Sequence, residues 1–140
     1  MKNFFLPALL LISNFCYSQE LLNFNQIKTA LLSGNSIHIN IDFLKCTGPS
    51  QKTFSTSYIG LFTPNQIMIG SDGTINTSFK FFTLDNPNFP RTPIYEYVTY
   101  SIKDNNSLQL TTEVLNAEHH PLTEMFSFTC EIGKGAKIYS

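Results

Sequence analysis

The chain has 140 residues, of which 42% are hydrophobic and only 14% charged, with a formal net charge of −1 at pH 7. That length fits one ordinary domain with a core of its own, and that balance is the opposite of a disordered segment. The lysines are scattered, Arg91 is the single arginine and no basic stripe exists, so a nucleic-acid partner is not expected.

Met1 to Ser18 reads as a cleavable signal peptide. Lys2 and the amino terminus give a weak positive start, Phe4 to Ile12 is apolar apart from Pro7, and Cys16-Tyr17-Ser18 offers small residues at the cleavage positions. The apolar run is far shorter than the ~20 residues that span a bilayer. Two other readings are a short buried helix and a lipoprotein anchored through Cys16, although Ser13-Asn14-Phe15 lacks the small residues that lipidation sites favour. Cleavage would leave a single domain over residues 19–140, exported to the periplasm or secreted, with no membrane span. Export removes Cys16 and leaves Cys46 and Cys130, an even count in an oxidising compartment. A disulfide between them is expected, the alternative being two buried thiols.

The mature domain is expected to open with a helix over 24–33. Asn23 is a good N-cap with Gln26 three residues on, and Leu22 and Ile27 stand at hydrophobic-staple positions. Phe24, Ile27 and Leu31 form one apolar stripe, and Gly34 supplies the stop.

Strands follow. Ile37, Ile39, Ile41 and Phe43 alternate with His38, Asn40 and Asp42. Lys45 to Ser55 is loop, and a strand runs from about Thr56 to Phe62 before a Pro64-Asn65 turn. Ile67-Met68-Ile69 leads into Ser71-Asp72-Gly73, a strong hairpin signal. Ile75 to Leu84 is Phe-rich, with apolar residues on both faces, which suggests burial on both sides. After a proline-rich loop, Ile94 to Ile102 alternates again, Leu108, Leu110 and Val114 return the chain, and Phe126, Phe128, Cys130 and Ile132 mark the last strand.

Consecutive strands with short turns favour an antiparallel meander. The expected fold is α+β: one N-terminal helix packed on a curved, mostly antiparallel sheet of six or seven strands, barrel-like or cystatin-like, with one disulfide.

Several segments resemble the VirK family of small exported bacterial proteins. Ala30-Leu31, Gly34, Ile37 to Ile41, Asp42 and Cys46 follow the order of that family's opening. Ser71-Asp72-Gly73-Thr74-Ile75 is similar to its central Asp-Gly-Thr turn, and Pro93-Ile94 to Tyr100 to its Pro-Ile strand. Phe128 to Gly135 resembles its closing Cys-then-Gly signature. The resemblance covers nearly the whole mature chain and implies export and an association with virulence, but no enzyme activity. Ser78 to Thr83 departs from it by lacking the Asp and His common there, so no function resting on those groups is carried over.

Reactive constellations are sparse. Glu118-His119-His120 with Glu124 is the best metal candidate, but adjacent loop histidines diverge and a solvated loop is the ordinary reading. His38 and Asp42 share a strand face that more often is simply polar. Gly133-Lys134-Gly135 lacks the frame of a phosphate loop and reads as a turn. Tyr95 and Tyr97 form an aromatic face that could bind a sugar or peptide.

The leading expectation is therefore a non-catalytic exported module that binds a protein, peptide or envelope component, without metal or other cofactor. A carrier of a small hydrophobic ligand and a small metal-dependent hydrolase are the alternatives. A cavity above a few hundred Å3 would favour the carrier. Clustering of His38 with His119 or His120 would favour the hydrolase, and a filled core with an exposed tyrosine patch the leading reading.

Overall fold

The structure is a computed structural model that describes residues 18–48, 59–86 and 88–140. The expected leader, apart from Ser18, and most of the loop from Lys45 to Ser55 lie outside the described residues, as do Thr56 to Tyr58 at the start of the expected second strand.

Nine strands and one α-helix are present among the described residues: β1 (Glu20–Leu21), α1 (Phe24–Leu32), β2 (His38–Asp42), β3 (Ile59–Phe62), β4 (Met68–Ile69), β5 (Ile75–Thr83), β6 (Ile94–Ile102), β7 (Ser107–Asn116), β8 (Phe126–Glu131) and β9 (Ala136–Tyr139). They form two antiparallel sheets, one ordered β1-β9-β2-β3 and the other β4-β5-β6-β7-β8. The single curved sheet expected from the meander is thus corrected to two layers. The hairpin run β4 to β8 is one sheet, but β9 crosses back to lie between β1 and β2. The helix is also not the first element. Glu20 and Leu21 pair with Tyr139 and Ile138, and Gln19 and Ser140 exchange backbone hydrogen bonds of 2.9 and 3.0 Å.

The helix forms where its caps place it. The Asn23 side chain accepts from the Gln26 amide at 3.0 Å, and the Gln26 side chain accepts in return from the Leu22 amide at 2.7 Å. That second bond reaches one residue further back than a standard capping box. Leu22 is 60% exposed, so the expected staple does not bury its outer member. Phe24, Ile27 and Ala30 are buried and Leu31 packs against them. Gly34 ends the helix at φ +84°, in the left-handed region that a side chain disfavours.

The two sheets pack inner face to inner face. In the larger sheet the register stacks inward residues into rows across the strands. Ile75, Ile102, Leu108 and Cys130 form one row, and Thr77, Tyr100, Leu110 and Phe128 the next. Phe79, Val98, Thr112 and Phe126 follow, then Phe81, Glu96 and Val114. In the smaller sheet Leu21, Ile138, Ile39 and Phe62 make the facing row.

Strand length sets what is covered. β5, β6 and β7 have 9, 9 and 10 residues, whereas β2 and β3 have 5 and 4. At about 3.4 Å per residue the larger sheet is about 30 Å long and the smaller roughly half that. The first row is therefore fully buried, while Phe81 and Phe126 at the far end are 39% and 41% exposed. The helix sits at the buried end. The Phe24 amide donates to Asn106 Oδ1 in the β6–β7 turn at 2.8 Å, and the Lys28 ammonium lies beside Gly73 of the β4–β5 turn.

The disulfide pairs Cys46 with Cys130, Cα atoms 4.4 Å apart. Beside it Thr47 and Thr129 exchange backbone hydrogen bonds of 2.8 Å, so the exit of β2 is fastened to β8 in the opposite sheet. Asp42 caps the short 3-10 turn Phe43–Lys45 by accepting from the Leu44 amide at 3.2 Å, and its carboxylate pairs with Lys45 Nζ at 2.8 Å. That side-chain bond is the main cause holding the Asp42 carboxyl below the usual carboxylate range. No helix among the described residues is long and apolar enough to cross a membrane.

Candidate functional site

Where the smaller sheet stops, the inner face of the larger one lines a cleft of about 820 Å3. Its floor is the third and fourth rows of β5–β8, from Phe79 and Phe81 across Val98 to Val114 and Phe126. One wall is β3 with Phe43 behind it; Asn86, Asn88 and Phe89 of the β5–β6 loop and Thr123 bound the far end. Sequence alternation fixes which side chains look inward, and among the described residues the short β2 and β3 do not extend over those of the outer rows.

An aromatic group separates cleft from core. Phe62 of the smaller sheet stacks on Tyr100 of the larger at 3.9 Å between centroids, and Phe79 lies 5.7 Å from Tyr100 and 5.8 Å from Phe62. Such pairs add about 0.5–1.5 kcal/mol each beyond the area they bury. Burial pushes the Tyr100 phenol up, so it stays neutral across the physiological range. Among the described residues the hydroxyls of Thr112 and Thr123, both bordering the cleft, are buried without a hydrogen-bond partner. An orphan of that kind costs about 1–3 kcal/mol.

Among the described residues Glu96 is the one charged residue lining the cleft. It stands on β6 in phase with Ile94 and Val98, opposite Phe81 on β5 and Val114 on β7. Its Oε1 accepts from Asn86 Nδ2 at 2.6 Å, and Asn86 Oδ1 in turn accepts from the Asn88 amide at 2.9 Å. Sequence reasoning passed over this residue. The available signal was a carboxylate occupying the apolar phase of an otherwise alternating strand.

Tyr95 and Tyr97 lie on the other face of β6, outside the cleft. Tyr95 stacks on His119 at 4.7 Å with the rings 8° from parallel, and Lys80 Nζ sits over both tyrosines at 4.8 and 5.5 Å. The same outer face carries Phe82, which is 54% exposed, so β5 is not buried on both sides. Its outward Phe82 packs edge-on against Tyr95 at 5.5 Å.

The histidines are dispersed. His38 on β2 meets Thr63 through Nδ1 at 2.7 Å, while His119 belongs to the β7–β8 loop against the outside of the larger sheet. No group of three or more His, Cys, Asp or Glu among the described residues is placed to hold a metal ion. Gly133-Lys134-Gly135 turns the chain from β8 into β9, with the Gly133 amide donating to the Ala136 carbonyl at 2.7 Å.

The family described as VirK protein matches residues 20–120, which span β1 to β7 and include Cys46 and Glu96. The chain belongs to the VirK family. It is 26% identical over 124 residues to a protein of Sinorhizobium fredii (strain NBRC 101917 / NGR234) named uncharacterized protein y4wH, covering 88% of this chain and 83% of that one. Among solved structures it is similar to lpg1832, a VirK family protein from Legionella pneumophila, with a TM-score of 0.77 at 30% identity, over 86% of this chain and 98% of that one. The family match ends before β8, so Phe126, Phe128 and Cys130 lie beyond its span.

Proposed function

We propose that this VirK family protein is an exported, non-catalytic binding module that takes a small apolar ligand in the cleft between its sheets. The observation that carries the reading is the cleft itself: about 820 Å3, walled mainly by phenylalanine and aliphatic side chains. That volume falls within the ~300–1,000 Å3 of ordinary small-molecule sites. A protein of this size would otherwise gain stability by filling such a space. The cleft thus ranks the carrier above the protein- or peptide-binding module, and the dispersed histidines give the hydrolase no assembled site. Export belongs to the same proposal, supported by a disulfide of the kind that oxidising compartments preserve; a virulence association rests on the family resemblance.

Titration with Nile red, a neutral probe that brightens in apolar surroundings, tests the reading. Saturable binding at one site per chain is expected. Phe126→Ser, at a partly exposed position on the cleft floor, should weaken it about tenfold. That corresponds to roughly 55 Å2 of lost apolar contact at ~25 cal/mol per Å2. Absence of saturable binding by the folded protein would sink the proposal. The outer Tyr95–Tyr97 face remains a separate proposal for a protein or peptide partner, favoured by the 38% exposure of Tyr97. Tyr97→Ala would weaken such a partner without altering Nile red binding.

A further inference from the structure

We infer that the cleft selects ligands with an apolar body and a cationic head, a protonated amine that meets Glu96. The inference rests on the cleft reading and adds the headgroup. Glu96 is half-buried, and a carboxylate set beside apolar side chains gains from a hydrogen bond or an opposite charge that replaces the water it has lost. Glu96 has Ile94 and Val98 beside it on its strand, with Phe81 and Val114 opposite on the two neighbouring strands. Asn86 supplies one hydrogen bond, at 2.6 Å to Oε1. Among the described residues no lysine, arginine or histidine forms an ion pair with it; the three ion pairs join Lys45 to Asp42, Lys134 to Glu131 and Lys137 to Glu20.

Among the described residues no cationic side chain lines the cleft. Its electrostatic character is therefore one negative charge at the polar end of an apolar trough. A carboxylate-headed ligand would bring like charge against Glu96 with no cation to offset it. A neutral alcohol would gain the apolar contacts and at most a hydrogen bond. An alkylammonium would gain both the contacts and a charge-assisted bond to the carboxylate. The Asn86–Asn88 bond holds the Asn86 side chain in place, which fixes the donor that orients Glu96 and leaves Oε2 for the ligand.

The test compares three probes with one tail. Dodecylamine, dodecanol and dodecanoate, each below its micellar concentration and near neutral pH, compete with Nile red on the wild-type protein and on Glu96→Gln. The wild type should bind dodecylamine at least tenfold more tightly than dodecanoate, with dodecanol between them. Glu96→Gln should weaken dodecylamine about tenfold relative to dodecanol, since the amide keeps the shape and a hydrogen-bond acceptor but loses the charge. Equal competition by all three probes would overturn the headgroup assignment while leaving the cleft reading intact. An unaltered amine preference in folded Glu96→Gln would do the same. Failure of all three probes, dodecanol included, would overturn the cleft reading and this inference with it.

Discussion

Replacing Cys46 or Cys130 by serine is expected to lower the stability of the domain by up to about 4–5 kcal/mol, and replacing both by little more. The bond closes a sequence separation of 84 residues, and long closures restrict the unfolded chain most. Its position adds to the effect. Cys46 and Cys130 are 1% and 0% exposed, and the bridge joins the smaller sheet's β2 exit to β8 of the larger one. Each serine would place a hydroxyl in a buried site, which adds to the loss unless a partner is found. Denaturant unfolding of the two single variants and the double variant checks the prediction. Additive losses, or thiols that alkylate in the native protein, would show that no shared bond exists.

Gly135→Ala is the second substitution expected to have a large effect. A Cβ there would lie 2.8 Å from the Lys45 carbonyl oxygen and 3.1 Å from Cys46 Sγ. Neither neighbour is free to retreat. Cys46 is covalently fixed to Cys130, and the Asp42 amide donates to the Gly135 carbonyl at 2.9 Å, holding the two segments together. Overpacking of this kind costs about 1–3 kcal/mol. Gly133→Ala makes a useful contrast, because a Cβ at Gly133 meets nothing within 4 Å and the strain there comes only from its φ of +86°. Thermal unfolding of both variants reports the difference. A Gly135→Ala protein as stable as the wild type would mean that this crossing has slack.

Much of the fold was legible because local chemistry and tertiary packing agree. Asn23, Gln26 and Gly34 bound the helix, Asp72-Gly73 turns β4 into β5, and the alternation from Ile94 to Ile102 matches β6 residue for residue. The Cys46–Cys130 pairing followed from the even cysteine count expected after export. What could not be read was where one ladder ends and another begins. Turn signals report that the chain reverses, not which strand becomes the neighbour, so β9 escaped notice. It has only four residues with two inward side chains, Ala136 and Ile138, behind a Gly-Lys-Gly turn, yet its insertion between β1 and β2 creates the second sheet.

The cleft was hidden for a related reason. Alternation tells which face a side chain takes but not how far the opposite layer extends over it. By alternation Phe79 and Phe81 share one face with Ile75. In the structure Phe79 packs under Phe62, while Phe81, two residues further along the same face, lies past the end of β3's cover and is 39% exposed. Tyr95 and Tyr97 attracted attention as an aromatic pair, whereas Glu96 between them occupies the cleft. Only the inward phase of Ile94 and Val98 marked it as unusual.

The most direct measurement is methyl NMR of the isotopically labelled protein titrated with dodecanol. The account predicts saturable shift changes at Val98, Leu110 and Val114 on the floor and at Leu61 on the wall, with Ile27 and Ile138 in the packed core unmoved. Changes confined to exposed Leu22 and Leu32 near the helix, or none at all, would contradict it.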